Sequence, residues 1–279
     1  MACAPKVRSM ILNPYNPLEP VDDPALFFGQ EAAFAFFRQN LVGAAHHHAL
    51  VLIGRRGLGK SSVARQLRYQ VDDRYRVAVI SLGTYEISSE EALIAGWIED
   101  IRLSLDQAEV STYRLPEWPE DEEASLRDWF DTVYLDIALT ALRHRHLLLV
   151  IDDAHLMLQA IQRGALPADW LHYLAGLLEH HSRLDLVFTL DAAFEDQTLT
   201  TELMNDPALH FRLAELSLAD AERIIREPMD QACCLYEEGT IRQILDWAGG
   251  HRFCCIRFAA CSFAAPRNGI SAGQSLNTI

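Results

Sequence analysis

One stretch of the sequence has the residue types and spacing of a phosphate-binding loop. Residues 54–62 fit the pattern G-x-x-x-x-G-K-[ST]. In such a loop the glycines let backbone N–H groups turn toward a phosphate chain. Lys60 then reaches the β- and γ-phosphates, and the Ser61 hydroxyl ligates Mg²⁺. The residues expected to line the phosphates are Gly54, Arg55, Arg56, Gly57, Leu58, Gly59, Lys60, Ser61 and Ser62.

The residues on either side of this loop favour the same interpretation. The run Ala49–Ile53 is entirely apolar, as in a buried parallel strand. Ser61–Tyr69 contains no glycine or proline and is predicted to be helical. A strand, a glycine-rich turn and a helix place the positive end of the helix dipole at the phosphates. A chance match in a flexible loop does not predict this context.

A second stretch supplies carboxylates. His146–Ile151 is an apolar strand that ends in Asp152 and Asp153. Downstream of a phosphate loop, the first acid is expected to hold Mg²⁺ and the second to orient or deprotonate the attacking water. Asp153 stands where many ATPases carry Glu. Because its side chain is shorter, the sequence does not predict whether hydrolysis is efficient.

A further strand is predicted over Leu184–Leu190, with Thr189 near its end. In that position a hydroxyl could sense the γ-phosphate. A β-branched residue that simply suits a strand is an equal alternative.

The remaining pattern alternates strands and helices, which predicts a parallel sheet with helices on both faces. The other predicted strands are Arg76–Ser81 and Phe211–Leu216, and the predicted helices are Ala32–Leu41, Ser88–Leu105, Glu122–Arg143 and Ala168–His181. From Ser217 the pattern is purely helical. One helix is expected to stop before Pro228, and the next two to span Thr240–Ala248 and Arg252–Ala264.

These elements predict four regions along the chain. Residues 1–30 are an extended, proline-rich lead-in, and residues 31–216 are the phosphate-binding core. Residues 217–265 are a small helical lid, and residues 266–279 are a flexible tail.

Composition limits the function classes. The chain has 279 residues, half of them hydrophobic, and a formal net charge of −15, which argues against a broad nucleic-acid-binding face. No apolar run reaches the roughly 18 residues of a membrane span, and Met1–Ser9 lacks the apolar core of a signal peptide. We therefore expect a cytoplasmic protein with no membrane partner.

Together these motifs resemble the AAA+ and STAND branches of P-loop ATPases, particularly prokaryotic STAND-like and origin-recognition-like modules. Residues 54–62 match the Walker A motif and residues 147–153 the Walker B motif. Asn13-Pro14-Tyr15 and residues 28–31 are similar to the N-terminal signature of that group, with Gln30 in place of Arg.

Residues 249–253 resemble the Gly-His-Pro element of STAND lids, with Arg252 in place of proline. They equally resemble the sensor-2 motif of AAA+ proteins, in which Arg252 would touch the γ-phosphate.

The resemblance implies a five-stranded parallel sheet of order 5-1-4-3-2, a helical lid, and ATP with Mg²⁺ bound between them. It also implies that ATP, or exchange of ADP for ATP, controls self-association or binding of a protein partner. Arg212 is similar in placement to arginines that reach a neighbouring subunit's nucleotide, although a surface arginine at a strand end is the simpler alternative.

Three functions remain open from the sequence. The first is an ATP-controlled switch or assembly module that hydrolyses ATP slowly. The second is a DNA-associated ATPase that loads or remodels a partner on DNA. It would need a basic surface or an appended winged helix, and the sequence indicates neither. The third, a small-molecule kinase, fits less well because no acceptor site is visible.

Overall fold

The computed structural model describes residues 13–41, 49–117, 125–198, 202–232, 234–264 and 270–272. The chain divides into two compact units, Gln30–Ala214 and a smaller one that combines Met1–Gly29 with Glu215–Ile279. The residues predicted as lead-in, as far as position 29, therefore share a unit with the predicted lid. Positions 1–12 of the lead-in lie outside the described residues.

The larger unit, here called the core unit, contains a five-stranded parallel sheet of order β2-β3-β4-β1-β5. This confirms the predicted order 5-1-4-3-2. The strands are β1 (Leu50–Gly54), β2 (Tyr75–Ser81), β3 (His146–Asp152), β4 (Leu184–Asp191) and β5 (His210–Arg212). β5 is shorter than predicted, since only residues 210–212 pair with β1.

Burial explains which strands lie in the middle of the sheet. Every residue of β1 is buried, and β3 is buried from Leu147 to Asp152. Strands covered by helices on both faces have such continuous apolar runs. The edge strand β2 instead mixes buried and half-buried positions.

Helices connect the strands of the core unit. They are α1 (Glu31–Leu41), α2 (Lys60–Gln70), α3 (Glu90–Gln107), α4 (Leu126–Trp129), α5 (Asp136–Ala141), α6 (His155–Gln162), α7 (Trp170–His180) and α8 (Glu195–Thr198). Aromatic side chains fill the core, and the rings of Trp97 and Trp170 meet edge to face with centroids 5.7 Å apart.

The stretch predicted as one helix over 122–143 is helical from Leu126 to Ala141, but it is not a regular α-helix throughout. A π-helical segment, Phe130–Leu135, lies between α4 and α5. Within it, the buried Asp131 hydrogen-bonds through its two carboxylate oxygens to His180 at 2.7 Å and His181 at 2.6 Å. The π-helical turn, which is wider than an α-helical turn, thus contains the residue that makes this buried polar contact. Positions 122–124, the predicted helix start, lie outside the described residues.

The start of α3 also differs from the prediction. The predicted helix begins at Ser88, which has capping-box spacing to Glu91, whereas Ser89 is the observed cap. Its hydroxyl accepts a hydrogen bond from the Ala92 N–H at 3.2 Å. Both serines are chemically suitable caps, so the register depends on which apolar face of α3 packs on the sheet.

The smaller unit contains the three predicted helices, α9 (Leu218–Gln231), α10 (Glu238–Ala248) and α11 (Arg252–Ala264). It also contains two short antiparallel strands, β6 (Cys234–Tyr236) and β7 (Ile270–Ala272). Strand β7 lies inside the segment predicted to be a flexible tail. The rest of residues 266–279 lies outside the described residues.

Helix α9 continues through Pro228, whereas the sequence predicts that it ends before this proline. The buried face of α9 runs from Ala221 and Ile225 to Pro228 and Met229, so the proline ring itself is part of the packed surface. Packing of this face outweighs the backbone hydrogen bond that proline cannot make.

The N-terminal segment completes this unit. Tyr15 is buried, stacks on Tyr236 with ring centroids 6.3 Å apart, and donates its hydroxyl hydrogen to the Ile225 carbonyl. Asn13 Nδ2 donates to the Ala260 carbonyl at 3.2 Å. The Asn13-Pro14-Tyr15 signature is therefore a packing element of the helical unit.

The paired glycines after α10 end that helix as predicted. Gly249 has φ 57° and Gly250 has φ 84°, in the left-handed region. A Cβ on Gly250 would lie 2.6 Å from the Leu216 carbonyl oxygen, and the Leu216 N–H donates to the Gly250 carbonyl at 3.0 Å. This close backbone approach requires glycine at position 250.

In the part of the chain that is described, the helices are all too short or too polar to cross a membrane.

Candidate functional site

The phosphate loop has the backbone geometry that its sequence predicts. Strand β1 ends at Gly54 and α2 begins at Lys60. Gly57 and Gly59 have φ of 83° and 96°, which favour glycine. Gly59 precedes α2 without a side-chain cap. The first N–H groups of a helix have no acceptor within it, so this helix start is suited to bind an anion.

Lys60 is a buried cation inside this loop. Its side chain is 8 % exposed, and Nζ donates to the carbonyls of Gly54 at 2.8 Å and Arg55 at 3.2 Å. Burial lowers the pKa of Lys60, while the nearby carboxylates of Asp191, Asp153 and Asp152 oppose that shift. The ammonium therefore donates to neutral loop carbonyls. A charged phosphate oxygen is a stronger acceptor than a carbonyl.

Asp152 ends β3 as a buried carboxylate that is only 6 % exposed. The Thr189 hydroxyl donates to its Oδ1 at 2.5 Å, and Ser61 is a second hydrogen-bond partner. Burial and the charge of Asp153 raise the pKa of Asp152, whereas both hydroxyls and Lys60 act in the opposite direction. The predicted metal-binding residues Ser61 and Asp152 thus meet directly.

The next residue, Asp153, has φ 59°, a left-handed conformation that Asp tolerates better than most residues. Its N–H donates to the Thr189 hydroxyl at 2.9 Å, and the N–H of Ala154 donates to the Thr189 carbonyl at 2.9 Å. The Asp153 side chain is 38 % exposed. This turn therefore separates the two acids, one directed into the protein and one reachable by water.

Thr189 lies in the centre of this arrangement and is fully buried. Its hydroxyl donates to Asp152 and accepts from Asp153, and its carbonyl accepts from Ala154. The contacts observed for this hydroxyl are with the two acids. They support a role in positioning those acids, and the predicted sensing of the γ-phosphate stays a prediction.

Asp191 is a further residue of the site, and the sequence-based prediction does not include it. It ends β4, where it is in register with Gly54 of β1. Among the carboxylates around Lys60, it acts most strongly on the ammonium. The signal was present, because Asp191 directly follows an apolar strand as Asp152 does. The strand was predicted to end one residue earlier.

The site contains the oxygen ligands that Mg²⁺ prefers. Ser61 and Asp152 supply a hydroxyl and a carboxylate that already lie within hydrogen-bond distance of each other. Mg²⁺ in NTP sites is held by one or two such protein oxygens together with phosphate oxygens and water. These residues therefore fit the metal that the motifs imply.

The other loop residues divide by exposure. Arg55 and Arg56 are exposed, whereas Leu58 and Ser62 are buried. A Cβ on Gly54 would lie 3.2 Å from the Leu213 Cβ, so a close neighbour on the β5 side favours glycine there.

Two predicted site residues are not part of this cluster. Arg212 on β5 has a side chain 65 % exposed and forms an ion pair with Glu195. Arg252 belongs to the smaller unit, where it is buried, donates to the Phe28 carbonyl at 2.9 Å and lies 4.2 Å over the Phe27 ring. Burial lowers the pKa of Arg252 to about 10. Its Nε and Nη2 have no partner among the described residues, and its predicted contact with nucleotide stays a prediction.

Comparison with known proteins agrees with this geometry. The family model described as Novel STAND NTPase 1 matches residues 14–253. No curated protein matches the sequence.

Three solved structures have a similar fold at low sequence identity. The Walker-type ATPase PABY2304 of Pyrococcus abyssi superposes with a TM-score of 0.62 at 13 % identity, over 88 % of this chain and 71 % of that chain. The Aeropyrum pernix ORC2 protein, in ADPNP–ADP complexes, gives a TM-score of 0.54 at 14 % identity, over 87 % and 67 %. The Aeropyrum pernix ORC1 protein, in complex with DNA, gives 0.51 at 12 % identity, over 92 % and 63 %.

Replacement of Thr189 by Val tests the positioning role. Val keeps the volume but leaves the Asp153 N–H and the Asp152 carboxylate without their shared hydroxyl. We expect a loss of about 1–3 kcal/mol in the free energy of unfolding, measured by urea denaturation. Thr189→Ser, which keeps the hydroxyl, is the control and should lose about 1 kcal/mol or less. A Val variant as stable as wild type would contradict the role.

Proposed function

Because the chain belongs to the novel STAND NTPase 1 family, we propose that it binds ATP with Mg²⁺, hydrolyses it slowly, and acts as a nucleotide-controlled switch or assembly module. One observation carries this proposal. Ser61, Asp152 and Thr189 form a hydrogen-bonded chain beside Lys60, at the carboxyl ends of adjacent strands. Ligands of open parallel sheets bind at this edge.

Each residue has a role that follows from its chemistry. Lys60 exchanges its bonds to loop carbonyls for bonds to the β- and γ-phosphate oxygens, which are charged and therefore stronger acceptors. Ser61 and Asp152 hold Mg²⁺, which neutralises phosphate charge when bound. The N–H groups at the start of α2 bind the phosphate chain.

Asp153 is the proposed water-positioning residue. Its carboxylate accepts a hydrogen bond from a water whose oxygen forms the new bond to the γ-phosphorus. The bond between that phosphorus and the β–γ bridging oxygen breaks, and ADP leaves with the electron pair. The proton that the water gives up passes to the Asp153 carboxylate and from there to a phosphate oxygen. Because Asp153 is one methylene shorter than Glu, water is held less closely, which supports slow turnover.

A slow NTPase spends much of its time with nucleotide bound, and this suits a switch better than a fast motor. We propose that the nucleotide state controls association with copies of the chain or with a protein partner. Arg212 is a candidate for contact with a neighbouring subunit's nucleotide, since it lies on the edge strand β5 and is largely exposed. The proposed compartment is the cytoplasm, which supplies ATP.

A DNA-associated ATPase is the alternative. The fold likeness to the ORC1 protein in complex with DNA makes it worth testing. The formal net charge of −15 opposes it, because phosphate contacts require clustered Lys and Arg. ATP turnover measured with and without duplex DNA, at about 150 mM salt, distinguishes the two functions.

Replacement of Lys60 by Ala should weaken ATP–Mg²⁺ binding at least about 100-fold, because two or more charge-assisted hydrogen bonds to phosphate are lost. Isothermal titration calorimetry measures the affinity. His144→Gln, an exposed substitution before β3, is the control and should bind as wild type does. Equal affinities for Lys60→Ala and wild type would remove the basis of the ATP-binding site.

Replacement of Asp153 by Asn should leave ATP affinity within about threefold of wild type and reduce kcat by about 100-fold, since the amide is a poor acceptor for the proton of water. Asp152→Asn should instead remove the Mg²⁺-dependent part of ATP affinity. Steady-state phosphate release and calorimetry with and without Mg²⁺ separate these effects. Wild-type turnover in Asp153→Asn would assign the water to another residue.

A mixing experiment tests whether Arg212 acts on a neighbouring subunit. Lys60→Ala and Arg212→Ala should each be inactive in phosphate release. An equal mixture should recover activity, because one chain supplies the nucleotide site and the other supplies Arg212. Glu195→Gln, which removes the ion-pair partner of Arg212, is the control and should keep activity. No recovery in the mixture, at any protein concentration, would rule out action between subunits.

A further inference from the structure

A histidine lies three positions after the buried acid of β3. His155 is the first residue of α6, and its side chain is 20 % exposed. Its Nδ1 atom is buried and has no hydrogen-bond partner among the described residues. A buried polar atom without a hydrogen-bond partner lowers the stability of the fold, so its presence requires an explanation. A group that lies just beyond hydrogen-bond distance is a candidate partner.

Among the described residues, the carboxylate found close to that atom is that of Asp153. The distance from His155 Nδ1 to Asp153 Oδ1 is 3.9 Å, which is slightly beyond a hydrogen bond. Hydrogen bonds within a catalytic group are often long before substrate binds and shorten afterwards. A side-chain movement of less than about 1 Å would therefore close this one.

The surroundings limit where each group can go. A Cβ on Gly83 would lie 3.4 Å from Asp153 Oδ2, so the glycine lies close to this second oxygen. The Asp153 backbone is fixed by Thr189. The His155 ring packs on Phe194, with ring centroids 5.3 Å apart. The imidazole and the carboxylate are thus held next to each other by three separate elements.

We propose that His155 is a positioning residue, whose Nδ1–H donates to Asp153 Oδ1 and aims the carboxylate at the attacking water. This inference rests on the proposed ATPase function. It supplies a reason why an Asp can serve where a longer Glu is common. The hydrogen bond from His155 removes rotational freedom that the Asp153 side chain would otherwise keep.

Two substitutions separate the ring nitrogens. In His155→Asn the amide N–H₂ lies where Nδ1 was, and in His155→Gln it reaches the place of Nε2. We expect His155→Gln to lower kcat for ATP hydrolysis about tenfold or more, the loss typical when a supporting hydrogen bond is removed, with unchanged ATP affinity. His155→Asn should stay within about threefold of wild type in kcat. In an Asp153→Asn background, His155→Gln should cause no further loss.

A spectroscopic measurement tests the contact without turnover. In the ¹⁵N-histidine-labelled full chain with Mg²⁺ and a non-hydrolysable ATP analogue, Asp153→Asn should shift the Nδ1 signal of His155 and leave that of His144 unchanged. An unshifted His155 signal, or equal losses of kcat in the Asn and Gln variants, overturns the proposal. If the wild type bound ATP but did not hydrolyse it, the proposed function would fail instead, and the histidine spectrum alone would decide this contact.

Discussion

The burial of one carboxylate constrains the rest of the site. Asp152 is almost inaccessible to water, so its charge requires partners within the protein. Two hydroxyls supply them: Thr189 from β4 and Ser61 from the start of α2, with Lys60 nearby. The hydrogen bonds of this buried carboxylate thus connect β3, β4 and the phosphate loop. They also fix the distance between the acid pair and the loop. The proposed metal binding and the position of Asp153 both depend on this arrangement.

Much of the core could be predicted from the sequence, because its signals are local. The apolar runs identify buried strands, and residues 54–62 and 147–153 specify the loop and the acids by spacing alone. The positioning role of Thr189 could not be predicted in this way. It arises from the pairing of β3 with β4, which brings together residues far apart in sequence. The same applies to Asp191, which is next to Lys60 only through the register of β1 and β4.

The differences in the helices have a common physical cause. Pro228 stays inside α9 and Ser89 replaces Ser88 as the cap of α3, in both cases where local preference and packing of an apolar face compete. In the π-helical segment the competing contact is polar, since Asp131 hydrogen-bonds to His180, the last residue of α7, and to His181, which follows it. Helix propensity differs by up to about 0.7 kcal/mol between ordinary residues and by about 3 kcal/mol for proline. Burial of several apolar side chains, at about 1.5–3 kcal/mol each, is large enough to override both.

The small unit is assembled from the two ends of the described chain, with the whole of the core unit between them. Its N-terminal part, which contains Tyr15 and Phe28, packs these aromatic rings in a cluster with residues that follow position 214. A ribosome makes the chain from the N-terminus, so this segment waits, with its rings exposed, while the sheet is synthesised. The core unit is continuous in sequence and can fold in that interval. We therefore expect the order of synthesis to set an order of folding, with the sheet first and the helical unit last.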